Sequence, residues 1–149
     1  MKILISALLA IALDVTGYCL WKTLKREHKL VPSVSRILGV GFAMVFFYIF
    51  AVFVEVEKIS LVAYSFYYIA VGWLIFHLLY FSLEYTGIFL EEYVRKDFMM
   101  TLMIIDSCAF LWNIFSERLF SLKWTEIFVG NYVFKPVLTD LFYVHYTFL

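Results

Sequence analysis

Residues 59–83, ISLVAYSFYYIAVGWLIFHLLYFSL, decide the fold, because this stretch contains no Asp, Glu, Lys or Arg. A helix needs about 20 apolar residues to cross the hydrocarbon core of a bilayer. The whole chain has a similar character, since 64% of its residues are hydrophobic, whereas soluble domains are about 45–50% apolar. The sequence therefore predicts an all-α membrane protein, a helical transmembrane bundle whose main partner is the lipid bilayer.

Four stretches are apolar and long enough to be complete spans, and a fifth is only partial. The predicted spans are residues 3–21, 37–54, 59–83, 98–115 and 137–149. The fifth stretch is about 20 Å long as a helix, which is too short for a core of about 30 Å. We expect residues 1–149 to form one incomplete transmembrane domain. A fifth span beginning near Ile127 is the alternative, and it would bury Lys135, Pro136 and Asp140 in lipid, which is costly.

The basic residues of the first loop predict the orientation. The first apolar run continues past Asp14 to Trp21, which fits a retained helix better than a cleaved signal peptide. Residues 22–36 then contain five Lys or Arg. The positive-inside rule places this loop in the cytoplasm and the N-terminus outside. We therefore expect a multi-pass protein of the plasma membrane.

A polar run, Leu83-Glu84-Tyr85-Thr86-Gly87, follows the uncharged stretch. Together with residues 73–77 it resembles the end of the third helix in the histidine-kinase N-terminal seven-transmembrane sensor region of bacterial receptors. In that family an apolar helix ends in a Leu-Glu-Tyr-Thr-Gly-like run. Glu84, Tyr85, Thr86 and Gly87 are therefore the motif residues at the end of the predicted third helix.

Two other segments are similar to the same family. Residues 111–113 resemble a Thr-Asn pair that ends its fourth helix, and residues 136–146 resemble the start of its fifth helix, where a Gly-Pro precedes an aromatic residue and a His. The chain departs from the family at Lys135, where Gly is usual, and at residues 116–118, where a His is common. The matching segments keep their order and spacing along almost the whole chain.

The resemblance implies the signal-input region of a bacterial receptor histidine kinase or diguanylate cyclase. It also implies a cytoplasmic output domain that these residues lack, an unknown small ligand and a possible homodimer. The chain has no phosphoacceptor His region, no nucleotide-binding glycine cluster and no cyclase loop, so we expect no enzyme activity and no catalytic residue. The alternative function is a small proton- or cation-coupled transporter.

Composition argues against other classes of partner. The formal net charge is zero, and basic runs interleaved with aromatic residues are absent, so nothing indicates nucleic-acid binding. The two cysteines, Cys19 and Cys108, lie in apolar segments and show no spacing typical of a disulfide framework or a metal site. We expect neither a cofactor nor a metal.

Two acids lie within predicted spans, where an ionisable residue is a functional candidate. Asp14 and Asp106 fall at similar predicted depths if their helices run in opposite directions. If they also faced each other, one would be protonated, which would create a proton- or cation-sensitive site. The alternative is two separate acids, each hydrogen-bonded to a polar neighbour.

Two further residues are candidates for ligand or proton sensing. His77 shares a helical face with Trp73, Tyr80 and Glu84, and a simple buried His is the alternative. Asn113 lies seven residues after Asp106, so both are expected to point inward. Glu84 would sit unfavourably at the negative end of a helix, which predicts a partner such as Arg95, Lys96 or a base of the first loop.

Overall fold

The computed structural model describes residues 2–86, 92–128 and 131–147 as four long helices, a two-stranded hairpin and a short helix. The elements are α1 (Lys2–Leu24), α2 (Val31–Phe53), α3 (Glu57–Thr86), α4 (Glu92–Ser116), β1 (Phe120–Phe128), β2 (Asn131–Leu138) and α5 (Asp140–Thr147). The four long helices each contain a segment apolar and long enough to cross a membrane. The expectation of a multi-pass helical membrane protein is therefore confirmed in outline.

The helices pack mainly in chain order, α1 on α2, α2 on α3 and α3 on α4. Pro32 stands in the first turn of α2, where its missing N–H is not needed, and α2 therefore begins before the predicted residue 37. At the other end of α2, the Ser60 hydroxyl donates to the Ala51 carbonyl at 2.8 Å. That bond satisfies one of the carbonyls that a helix end leaves free.

The all-α prediction is wrong between residues 120 and 138, where β1 and β2 form an antiparallel hairpin. Phe120 pairs with Leu138, and Trp124 pairs with Phe134. The predicted spans leave residues 116–136 as a connection between helices. Short strands with a weak alternation give little signal, and the charged residues only excluded a membrane span.

The predicted fifth span also begins too early. Val137 and Leu138 belong to β2, and the helix starts at Asp140. Thr139 lies at the junction, where its hydroxyl donates to the carbonyls of Arg118 and Leu119 at 2.6 and 2.8 Å. The structure describes α5 over Asp140–Thr147, which lies within the 13 residues predicted as a partial span.

The buried core lies at one end of the bundle, under the hairpin. Phe110 and Phe120 are 1% and 0% exposed there. The Tyr64 hydroxyl donates to the Phe134 carbonyl at 3.0 Å and so ties α3 to β2. We call this the hairpin end. The opposite end, where α3 finishes and α2 begins, is the Glu84 end.

Candidate functional site

The interface between α3 and α4 contains a buried acid. Asp106 is 3% exposed and lies against Gly72, where an added Cβ would be 3.4 Å from its Oδ2. Beside it, the Trp73 indole N–H donates to the Ser107 hydroxyl at 3.0 Å, and that hydroxyl donates to the Met103 carbonyl at 2.8 Å. The absence of a side chain at Gly72 lets α4 bring a carboxyl group close to α3.

The structure does not bury the two predicted acids together. Asp14 is exposed on α1, and α1 packs mainly on α2. Asp106 is buried between α3 and α4. A carboxyl pair that shares one proton requires both groups in one desolvated site, so this arrangement corresponds to the alternative of two separate acids.

His77 is half-buried on α3, one turn beyond Trp73. Its ring lies 5.8 Å from the Trp73 ring and 5.5 Å from the Phe76 ring. The contact with Trp73 is the one that their shared helical face predicted. Trp73 contacts His77 and also donates to Ser107 of α4. The Trp73 side chain therefore links His77 to the helix that carries Asp106.

Asn113 is fully buried at the end of α4 and holds the start of the hairpin. Its Oδ1 accepts from the backbone N–H of Leu119 at 2.7 Å and from that of Phe120 at 3.4 Å, and its Nδ2 donates to the Phe120 carbonyl at 3.0 Å. The prediction that Asn113 and Asp106 point inward is confirmed by their exposures of 0% and 3%. Because both the Oδ1 and the Nδ2 of Asn113 bond to the backbone at the start of the hairpin, Asn113 has a clear structural role.

The chain leaves α4 through a residue with left-handed backbone. Glu117 has a φ of 51°, and its N–H donates to the Asn113 carbonyl at 2.9 Å. A left-handed residue after the last helical turn is a common way to end a helix, although glycine is the usual residue there. The turn at Glu117 directs residues 118–120 back toward the Asn113 side chain.

Glu84 contacts the beginning of α2. Its Oε2 accepts a hydrogen bond from the Ser33 hydroxyl, and Ser33 is 6% exposed in the first turn of α2. The carboxylate therefore lies near the positive end of the α2 dipole, which favours a negative charge. The predicted partner was a base, but the partner among the described residues is a hydroxyl; the side chains of Arg95 and Lys96 lie outside them.

The other motif residues extend α3 by one turn. Tyr85 is 71% exposed and stacks on Phe81 at a centroid distance of 6.0 Å. The Thr86 hydroxyl donates to the carbonyls of Ser82 and Leu83 at 2.9 and 3.2 Å. Gly87, which was expected to end the helix, lies outside the described residues.

Sequence reasoning missed the aromatic cluster at the hairpin end. Tyr68 is its centre: its ring stacks on Phe110 at 5.5 Å and lies 5.2 Å from both Phe120 and Phe142. Ser65, one turn earlier on α3, is 0% exposed, and its hydroxyl has no hydrogen-bond partner among the described residues. The dense tyrosines of residues 64–68 were the available signal.

No group of three His, Cys, Asp or Glu side chains that could hold a metal occurs within residues 2–86, 92–128 and 131–147. Cys19 and Cys108 are free and exposed. No family model, no curated protein and no solved structure matches this chain.

Proposed function

We propose that this chain is the membrane-embedded signal-input region of a bacterial receptor histidine kinase or diguanylate cyclase. One observation carries the proposal: a single helix, α3, contacts the hairpin at Tyr64 and the start of α2 at Glu84. A sensor needs a continuous element of this kind, because ligand binding at one end must alter the helix packing at the other end. The resemblance of residues 73–77 and 83–87 to a sensor family supports the same function.

The hairpin end would be the receiving end. With the N-terminus outside, as the basic first loop predicts, the hairpin faces the extracytoplasmic side and the Glu84 end faces the cytoplasm. A small ligand would act on the hairpin or on the aromatic cluster around Tyr68. The hairpin responds readily, because two strands alone are marginally stable and depend on packing against helices.

The Glu84 end would transmit the signal. A hydrogen bond to a charged group contributes about 1.5–3 kcal/mol, so a shift of α3 driven by ligand binding can break the bond between Ser33 and Glu84. Breaking it would change how α2 and α3 meet at the cytoplasmic side. An output domain, joined through further helices and acting as a homodimer in this proposal, would read that change.

The alternative, a proton- or cation-coupled transporter, is favoured by one feature, the buried Asp106 in a candidate span. Buried intramembrane acids often mark ion pathways. Because Asp14 is exposed on α1, a pathway would need other polar groups to continue from Asp106. Proton flux into proteoliposomes separates the functions: the transporter predicts flux that Asp106→Asn abolishes, and the sensor predicts none.

The sensor proposal is tested by output in cells that carry the gene with its natural downstream sequence. Glu84→Gln should alter kinase or cyclase output at unchanged membrane abundance, because it weakens the bond to Ser33 without removing the side chain. Glu57→Gln is the matched control, an exposed acid at the other end of α3, and should leave output unchanged. Equal output from Glu84→Gln and the wild type would refute the proposal.

A further inference from the structure

The hairpin places two lysines directly opposite each other. Lys123 of β1 pairs with Lys135 of β2 in the antiparallel register, so their Cβ atoms are about 5 Å apart. Both side chains are exposed. Like charges directly opposite each other destabilise a strand pair, and a two-stranded hairpin has little stability to spare. The pair therefore needs a counter-charge.

The described part of the chain does not supply that counter-charge. Among the residues whose side chains the structure describes, 5–86, 97–126 and 132–144, neither lysine has an acidic partner. Glu126 is the acid of the described hairpin. It pairs with Tyr132, and by the alternation of strands its side chain belongs to the opposite face from Lys123. The described side chains therefore leave the two lysines without a counter-charge.

The position of the pair relative to the helices indicates where that partner lies. Lys135 follows Phe134, whose carbonyl accepts the hydroxyl of Tyr64 at 3.0 Å. Tyr64 is seven residues into α3, about 10 Å from the start of the helix. At 30 residues, α3 is about 45 Å long and exceeds a hydrocarbon core of about 30 Å. The lysines thus lie beside the first turns of α3, near the end of a helix that is longer than the hydrocarbon core.

The rest of the hairpin fits the same location. Phe120 and Leu138 anchor its base in the buried core, so it folds against the bundle. Trp124 and Tyr132 stack at 5.8 Å and are 44% and 41% exposed. Exposed Trp and Tyr rings are typical of the membrane–water interface. An interfacial hairpin with an unpaired double positive charge matches a phosphodiester anion.

We propose that Lys123 and Lys135 form a binding site for the phosphate of an anionic phospholipid. The phosphate lies between the two ammonium groups and relieves their repulsion, and the aromatic rings hold the hairpin in the headgroup layer. A sensor or a transporter could each contain such a site, so the test of the lipid site is independent of the test of the proposed function.

The test measures lipid binding to the protein in detergent micelles by native mass spectrometry, with phosphatidylglycerol and phosphatidylcholine added at equal concentration. The wild type should prefer phosphatidylglycerol. Each lysine near an anionic surface contributes about five-fold in affinity, so Lys123→Gln with Lys135→Gln should weaken phosphatidylglycerol binding about 25-fold. Lys58→Gln with Arg118→Gln, two exposed bases with the same charge change, should keep the preference.

A second variant keeps the test decisive if the double variant fails to fold. Lys123→Glu creates an opposite-charge pair with Lys135, so the hairpin should melt at a higher temperature while the phosphatidylglycerol preference is lost. Equal binding of the two lipids by the wild type, or an equal loss in the control variant, would overturn the proposal. Displacement of the lipid by an equal concentration of inorganic phosphate would assign the lysines to a soluble anion and overturn it as well.

Discussion

The bond between Asn113 and the hairpin gives the sharpest prediction, because the groups that lose partners are all buried. Asn113→Ala removes the acceptor of the Leu119 N–H and the donor to the Phe120 carbonyl, at 2.7 and 3.0 Å. Leu119 and Phe120 are 6% and 0% exposed, so water cannot easily replace the amide. Each buried group left unpaired costs about 1–3 kcal/mol. We therefore expect a loss of about 2–6 kcal/mol in the free energy of unfolding.

Equilibrium unfolding in mixed micelles, followed by circular dichroism, measures this loss. Thr101→Ala is the matched control on the same helix, because its exposed hydroxyl donates only to the Asp97 carbonyl one turn earlier. The control should stay within about 0.5 kcal/mol of the wild type. Hydrogen exchange at residues 119 and 120 should rise in Asn113→Ala. An Asn113→Ala protein as stable as the Thr101→Ala control would refute the assignment of Asn113 as the residue that holds the hairpin.

Three further predictions concern strain, packing and topology. Glu117→Gly should raise the free energy of unfolding by about 0.5–1 kcal/mol, because glycine adopts a positive φ without a steric cost; a lower stability in chemical unfolding would contradict this. Gly72→Leu should destabilise the protein, because a Cβ there already approaches Met103 to 3.1 Å. Gly39→Leu should be tolerated, because nothing lies within 4 Å of a Cβ at that position. A lower melting temperature for Gly39→Leu than for Gly72→Leu would refute the packing of α3 on α4. A periplasm-active reporter should give signal when fused after Glu57 and none after Lys29, and the opposite pattern would reverse the orientation.

The sequence predicted the long helices well, because apolar length is a strong signal that needs no tertiary information. It located the boundaries less well. The predicted span ended at residue 83, whereas α3 continues through Tyr85 and Thr86, since their own side chains pack on or bond to the preceding turn. Polarity marks where a helix leaves the lipid, and that point differs from where the helix stops.

The hairpin and the partners of the polar residues depended on contacts that no local pattern contains. Asn113 was correctly predicted to point inward, but its partners are backbone groups of residues 119 and 120, reached only through the turn at Glu117. Glu84 was correctly given a partner, and the packing of α3 on α2 brings to it the Ser33 hydroxyl, which charge alone does not predict. Long-range pairing of this kind follows from the fold as a whole.

A distance between two spin labels tests whether α3 couples the hairpin to the Glu84 end. Spin labels at the exposed positions of Lys29 and Tyr85, with Cys19 and Cys108 replaced by Ser, report the separation of α2 and α3 at that end by pulsed electron resonance.

The perturbation is Tyr64→Phe, which removes only the hydroxyl that donates to the Phe134 carbonyl at the other end of the helix. Tyr143→Phe, which removes a hydroxyl from an exposed tyrosine of α5, is the control. We expect the distance distribution between the labels to shift in Tyr64→Phe and to stay as in the wild type in Tyr143→Phe. An unchanged distribution in Tyr64→Phe would contradict the claim that the two ends are coupled.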